Sequence, residues 1–282
     1  MSATAPPKAF VIGWPIAQSR SPVIHRYWLE KYSIAGSYEA IAVEPDRVSA
    51  FLAGFADDGF VGGNVTIPHK TAAFAAADET DDTARILNAV NTLWREDGRL
   101  CGTNTDVYGF LKNLEEKAPG WSESGGAATI LGAGGAARAI AYSLIGRGFD
   151  PVRIVNRTVS RAADLATLFG PPVTSHAFNE LAGLLGDTAV LVNTTSLGMI
   201  NHDPLEIDLE PLPATALVTD IVYVPIETGL LAAARARGNR TVDGLGMLLH
   251  QAVPGFQKWF GIRPEVDAAL RQRVLADIGA VR

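Results

Sequence analysis

Cysteine is almost missing from this 282-residue chain: Cys101 is the only one. An intramolecular disulfide needs two thiols and a thiolate metal site needs several, so both are excluded, and a reducing compartment is expected. The five histidines, His25, His69, His176, His202 and His250, have no ligand-like spacing, so no metal is assigned. No apolar run is long enough to cross a bilayer, so no membrane partner is expected. The opening MSATAPPKAF lacks the long apolar core of a secretory leader, so the expected location is cytoplasmic. Positive charge is also scarce. The net charge is −6 and no basic stripe occurs, which argues against nucleic acid as a partner.

What is present is apolar and patterned. Hydrophobic residues make up 48% of the chain, ample for buried cores, and the length predicts two domains. The organising stretch is Thr129 to Arg161. Thr129-Ile130-Leu131 reads as a strand, Gly132-Ala133-Gly134-Gly135-Ala136-Ala137 as a turn, and Ala136, Ile140 and Leu144 fall on one helical face. Val152 to Val155 is a second strand, ending in Asn156-Arg157-Thr158. This is a βαβ unit of the dinucleotide-binding kind. Gly132 permits the tight turn, Gly134 lets a pyrophosphate approach the backbone, and Ala137 is small enough for close packing. NAD-specific sites place an acid at the end of the second strand to hold the ribose 2′-hydroxyl. Here the position carries Arg157, with Arg161 one turn on and no carboxylate. Two guanidiniums suit a 2′-phosphate, so NADP is the expected cofactor.

Strand and helix patterns alternate through the rest of the chain, which predicts a mostly parallel α/β sheet before the βαβ unit and a second one containing it. Strands are expected at Ala9–Gly13, Ser37–Val43, Gly62–Pro68 and Ala89–Trp94. Ser21, followed by Pro22, reads as a helix N-cap, as does Asp46 for the helix reaching Phe55. A helix follows Thr105, and Ser122 to Gly126 is a loop. Val190–Asn193 and Ala216–Asp220 are further strands of the nucleotide domain. After Gly244 a long apolar helix begins, with a kink expected at Pro254. It is expected to return to the first domain, giving a discontinuous substrate domain of residues 1–106 plus 245–282 and a nucleotide domain of residues 107–244. Asn193-Thr194-Thr195-Ser196 ends a strand at the edge where open α/β sheets bind ligands, so Thr194 is a candidate cofactor contact or a simple turn residue.

Ser19-Arg20-Ser21-Pro22, Asn64-Val-Thr66-Ile-Pro-His-Lys70, Ala89-Val-Asn91-Thr92, Asn104-Thr-Asp106, Gly132-Ala-Gly-Gly-Ala136, Asn156-Arg-Thr158 and Gly244-Leu-Gly-Met-Leu248 with Gln251 stand in this order. The ordered set resembles the shikimate dehydrogenases, from about Phe10 to Phe260. The resemblance implies a Rossmann-type NADP domain and a substrate domain flanking a cleft, with NADPH-dependent reduction of 3-dehydroshikimate to shikimate. It implies that Lys70 and Asp106 pair at the reacting hydroxyl, leaving open which of them exchanges the proton. A protonated lysine can stabilise the oxyanion left when hydride reaches a ketone. Ser19 and Ser21 resemble the pair that holds the substrate carboxylate, with capping the other reading of Ser21. Thr66, Asn91 and Gln251 resemble the hydroxyl readers. Tyr223 resembles the tyrosine lining the substrate side, or is a packed aromatic. Gly244 and Met247 resemble the residues beside the nicotinamide. One departure stands out: Val107 occupies a position where the family commonly has glycine, and a β-branched residue there is expected to stiffen the hinge or narrow the cleft mouth. Small-molecule substrate and a monomer or homodimer are expected. A quinate/shikimate dehydrogenase using NAD and a non-catalytic NADP-binding regulator are the competing readings.

Overall fold

A computed structural model describes residues 5–280, so the first four residues of the segment read for a leader lie outside it. The described residues divide into two compact units, 5–105 with 249–280, and 106–248.

The first unit runs β1 (Lys8–Gly13), α1 (Ser21–Lys31), β2 (Ser37–Ala42), α2 (Val48–Gly54), β3 (Phe60–Val65), α3 (Lys70–Ala76), β4 (Glu79–Thr80), α4 (Asp82–Leu87), β5 (Thr92–Glu96) and β6 (Arg99–Thr103). Its six strands are ordered β2-β1-β3-β5-β6-β4. β2, β1 and β3 are mutually parallel, and β5 pairs antiparallel with both β3 and its hairpin partner β6. The core gathers on Phe10, whose ring meets Phe51, Phe55 and Phe60 edge-on at 5.1–5.4 Å. Such edge contacts exploit the opposed charge of ring face and rim. Gly63 lies under that ring, and any side chain there would collide with it.

The second unit runs α5 (Asp106–Lys117), β7 (Ala127–Leu131), α6 (Gly135–Gly146), β8 (Val152–Asn156), α7 (Val159–Phe169), β9 (Val173–Ala177), α8 (Leu181–Leu184), β10 (Thr188–Asn193), β11 (Leu217–Asp220), α9 (Gly229–Ala236) and β12 (Arg240–Val242). Its sheet is wholly parallel, in the order β12-β11-β10-β7-β8-β9. This is the doubly wound dinucleotide-binding topology, with the strand order reversing between β7 and β10. Ala137, Ile140, Ala141 and Leu144 of α6 are fully buried against β7 and β8, as a parallel sheet covered by helices requires.

α10 (Leu245–Phe260) begins in the second unit and belongs to the first from Leu249. It continues past Pro254 to Phe260. In the first unit Trp259 donates its indole N–H to the Leu93 carbonyl at 2.8 Å, fixing α10 to β5. α11 (Ala268–Ala280) docks on α1 through an Arg20–Asp277 ion pair at 3.0 Å and a Lys31–Asp267 pair at 2.7 Å.

Several boundaries differ from the sequence expectation. Arg20, not Ser21, is the N-cap of α1: Ser21 is the first residue of the helix, and Arg20 (φ −92°, ψ −5°) precedes it with no side-chain cap bond. Asp46 lies in a turn, and Arg47 precedes α2 without a side-chain cap. β3 ends at Val65, before Pro68, and β5 starts at Thr92 rather than Ala89.

Candidate active site

In the first unit the candidate residues follow the C-terminal ends of β1 and β3, the two parallel neighbours at the centre of the sheet. Ser19 and Ser21 stand in the β1–α1 connection, where the Ser21 amide donates to the Ser19 hydroxyl at 3.4 Å. Ser21 is buried, and its side chain faces the Tyr38 hydroxyl. Thr66 follows β3 and donates its amide to Ile12 of β1 at 2.9 Å. Lys70 opens α3, half-buried. The preceding His69 is buried with its ring Nε2 2.7 Å from the Val43 carbonyl, which pins the start of that helix.

Backbone bonds bring Asn91 to the same edge. The Lys70 carbonyl accepts from the Val90 amide at 2.9 Å, and the Asn91 carbonyl accepts from Val65 at 2.8 Å. Asn91 is 3% exposed, and its Oδ1 accepts from the Thr105 amide at 2.8 Å and the Thr105 hydroxyl at 3.1 Å. Ser19, Ser21, Thr66, Lys70 and Asn91 therefore share one sheet edge. Gln251 lies half-buried in the part of α10 that belongs to this unit.

Two buried residues of this edge carried no signal in the sequence. The His25 ring stacks on Tyr38 at 4.0 Å and 14°, and complete burial pulls its pKa down to about 3, so it is a neutral ring. Burial drives the Tyr38 phenol well above its ordinary value, keeping it protonated. Both read from sequence as ordinary element residues.

The second unit holds the nucleotide features. Gly132 adopts φ +105°, and a Cβ there would come within 2.6 Å of the Thr194 hydroxyl. Thr194, the first residue after β10, donates from both its amide (2.8 Å) and its hydroxyl (2.7 Å) to the Leu131 carbonyl. The glycine turn and Thr194 thus meet at the point where the strand order reverses, the position at which open sheets hold ligands. Ala133 packs on the core, while Gly134 is the N-cap of α6 with no side-chain cap bond. A Cβ on Gly134 or Gly135 would meet nothing within 4 Å, so the turn is open from outside. With Ala136, these positions leave first-turn N–H groups facing outward at the positive end of a twelve-residue helix.

At the end of β8, the Asn156 side-chain Nδ2 donates to the Thr158 carbonyl at 2.8 Å and Thr158 is the N-cap of α7. Arg157 and Arg161 are both exposed, and no carboxylate occurs between Val152 and Ala163. A helix start is a poor place for guanidiniums unless an anion joins them. The open glycine turn and this cationic helix start together fit a phosphorylated dinucleotide.

Asp106 opens α5 at 9% exposure, followed by half-buried Val107. Tyr223, Gly244 and Met247 cluster around the end of β11: Gly244 is buried against the Asp220 and Ile221 backbone, with no room for a side chain, and Met247 packs on the core. Beneath them lies Asp220, fully buried. Its carboxylate accepts from Asn193 Nδ2 (3.0 Å), the Val222 amide (2.9 Å) and the Thr228 hydroxyl (2.8 Å). Burial outweighs those bonds and pushes its pKa up to about 6. Asn193 in turn accepts from the Thr195 amide and hydroxyl at 3.0 and 2.7 Å, so Asp220 braces the turns after both β10 and β11. Among the described residues no group of histidine, cysteine and acidic side chains could hold a metal, and no helix is long and apolar enough to cross a membrane.

Comparison with known proteins covers nearly the whole chain. The profile of the shikimate dehydrogenase substrate binding domain matches residues 11–93, that of shikimate / quinate 5-dehydrogenase residues 115–225, and that of the shikimate 5′-dehydrogenase C-terminal domain residues 244–272. A protein of Brucella abortus (strain S19) named shikimate dehydrogenase (NADP(+)) is 55% identical over 274 residues, 96% of this chain and 94% of the relative. Among solved structures, a shikimate 5-dehydrogenase of Thermus thermophilus in complex with NADP(H) and shikimate superposes with a TM-score of 0.83 at 33% identity, covering 96% of this chain and 99% of that one. Quinate dehydrogenase from Corynebacterium glutamicum in complex with NAD superposes at 0.88 and 32% identity, covering 96% and 99%. With these matches and the geometry of its two units, the chain belongs to the shikimate dehydrogenase family.

Proposed function

We infer that this protein is an NADP-dependent shikimate dehydrogenase, an oxidoreductase that catalyses the reversible NADPH-dependent reduction of 3-dehydroshikimate to shikimate. The observation that carries the choice of cofactor is the end of β8, where exposed Arg157 and Arg161 stand without any carboxylate. An acid there would hold a 2′-hydroxyl and repel a 2′-phosphate; guanidiniums do the reverse.

NADPH supplies the hydride in one direction, and NADP⁺ accepts it in the other. The chain's own groups do the rest. Gly132, Ala133, Gly134, Gly135 and Ala136 receive the pyrophosphate at the start of α6, Asn156, Arg157, Thr158 and Arg161 receive the adenosine 2′-phosphate, and Thr194, Gly244 and Met247 flank the nicotinamide half. Ser19 and Ser21 bind the substrate carboxylate through hydroxyl donors. Thr66, Asn91, Tyr223 and Gln251 read the hydroxyls. As hydride reaches the ketone carbon, negative charge grows on its oxygen; the Lys70 ammonium stabilises that charge, and the Lys70–Asp106 pair delivers the proton. In oxidation the same pair removes it.

The test is spectrophotometric, following cofactor reduction with shikimate and NADP⁺, with quinate and NADP⁺, with shikimate and NAD⁺, and with quinate and NAD⁺. Turnover with the first pair and a large preference over the others is expected. A preference for quinate with NAD⁺ would establish the competing enzyme, and no turnover with any pair would favour a non-catalytic regulator. The working form is a monomer or homodimer in the cytoplasm, and sedimentation of the active protein distinguishes the two assemblies.

A further inference from the structure

Behind Asn91 runs a buried polar chain that fixes the orientation of its side-chain amide, the Thr105 backbone N–H pointing at Asn91 Oδ1 and the Thr92 and Thr105 hydroxyls lying 3.3 Å apart beside it. Tyr38, kept protonated by burial, donates to Asn64 Oδ1 at 2.6 Å. That fixes Asn64 Nδ2 as a double donor, to the Asn91 carbonyl and to the Thr92 hydroxyl, each at 3.1 Å. With its oxygen accepting from Asn64, the Thr92 hydroxyl turns its own hydrogen onto Asn91 Oδ1 at 3.0 Å. The Thr105 amide and hydroxyl donate to that same oxygen. A flipped Asn91 amide would set its NH₂ against the Thr105 N–H, donor against donor, in a site closed to solvent. Tyr38, Asn64, Thr92 and Thr105 are all buried, and the Tyr38 ring is itself clamped by the stacked His25.

We propose that Tyr38 and Thr92 are positioning residues that lock the Asn91 side chain with Oδ1 turned inward, so that Asn91 meets substrate only as a hydrogen-bond donor, through Nδ2. Asn91 then requires an oxygen acceptor on its ligand and rejects a group that can only donate. The proposal deepens the reading of Asn91 as a substrate-hydroxyl reader and rests on it. Tyr38 ties the same lock to the carboxylate end of the site, because its hydroxyl also faces Ser21.

The decisive substitution is Asn91→Asp. It keeps the inward oxygen and all three bonds to it, and turns the other amide atom from a donor into a charged acceptor. We expect kcat/KM for shikimate to fall about 100-fold or more, with NADP affinity unchanged by calorimetry. Thr92→Val is expected to raise the shikimate KM about three- to tenfold, the effect of one lost bond, with kcat within about twofold. Thr92→Ser should restore the parent value. In an Asn91→Ala background Thr92→Val should have no further effect on KM, which a merely structural loss would not obey. Near-parental turnover by Asn91→Asp, or a full Thr92→Val penalty persisting in the Asn91→Ala background, overturns the lock. A parental KM in Asn91→Ala overturns the assignment of Asn91 itself, and the lock with it. A raised KM in Asn91→Ala together with a parental KM in the single Thr92→Val variant overturns the lock alone.

Discussion

Replacing Asp220 with asparagine keeps the size and shape of the side chain and removes a charge the fold holds without any cation beside it. The carboxylate is fully buried and satisfied only by neutral donors, Asn193, Val222 and Thr228. It releases its proton near pH 6 in the folded chain against 3.8 for a free side chain, which corresponds to about 3 kcal/mol of stability lost at neutral pH. The sign follows from proton counts. Between pH 3.8 and 6 the folded chain holds the proton and the unfolded chain has lost it, so stability falls as pH rises through that window and stays low above it. In Asp220→Asn this slope disappears. The amide keeps one oxygen for Asn193 and Val222 but turns NH₂ toward the Thr228 hydroxyl, which already accepts weakly from Leu231 at 3.3 Å. Disturbing that bond costs about 1 kcal/mol. The variant should therefore be about 2 kcal/mol more stable than the parent at pH 7 and about 0.5 kcal/mol less stable at pH 4, where the unfolded carboxyl is already about half ionised. The assay is urea unfolding at pH 4, 5, 6 and 7, read by pulsed hydrogen exchange in β10 and β11 peptides so that the second unit's own transition is followed. Other titrating groups are common to both proteins and cancel in the difference. A stability difference that stays constant from pH 4 to 7 would refute the reasoning, because it would mean the Asp220 carboxyl titrates at its ordinary value.

Three further outcomes test the site. Arg157→Ala with Arg161→Ala should weaken NADP binding about 10- to 100-fold and leave NAD binding unchanged, with the difference shrinking as salt rises, measured by fluorescence titration. Lys70→Ala should lower kcat about 10²- to 10⁴-fold with little change in KM; a variant with near-parental turnover would remove Lys70 from the chemistry. Gly132→Ala should cost about 2–3 kcal/mol, because φ is +105° and the new methyl meets Thr194, and should weaken NADP binding in step; parental stability by urea titration would show that the turn relaxes freely.

The features legible in the sequence are those with a local cause. The strand before Gly132, the helix after it and the strand ending at Asn156 follow from short apolar periodicities, and Gly132 is glycine because no other residue tolerates its backbone angle beside Thr194. The start of α1 is not legible in this way. Ser21 is a good cap in isolation, but packing turns the helix one residue earlier and points Ser21 at Tyr38 instead. β9, β12, α4 and α11 carry patterns too weak to separate from their surroundings; α11 is defined chiefly by what it docks on, α1.

The amino-acid order alone therefore determined the doubly wound nucleotide unit, the cationic end of β8 and the set of candidate residues, since each depends on neighbours within a few turns of chain. The tertiary structure decided how those residues are held. The orientation of the Asn91 amide depends on Tyr38, Asn64 and Thr105, and the raised pKa of Asp220 on Asn193 and Thr228. Apart from Thr228, eight residues from Asp220, these partners are well separated in sequence, and burial together, where an unmatched donor or charge has no water to turn to, fixes how they are arranged.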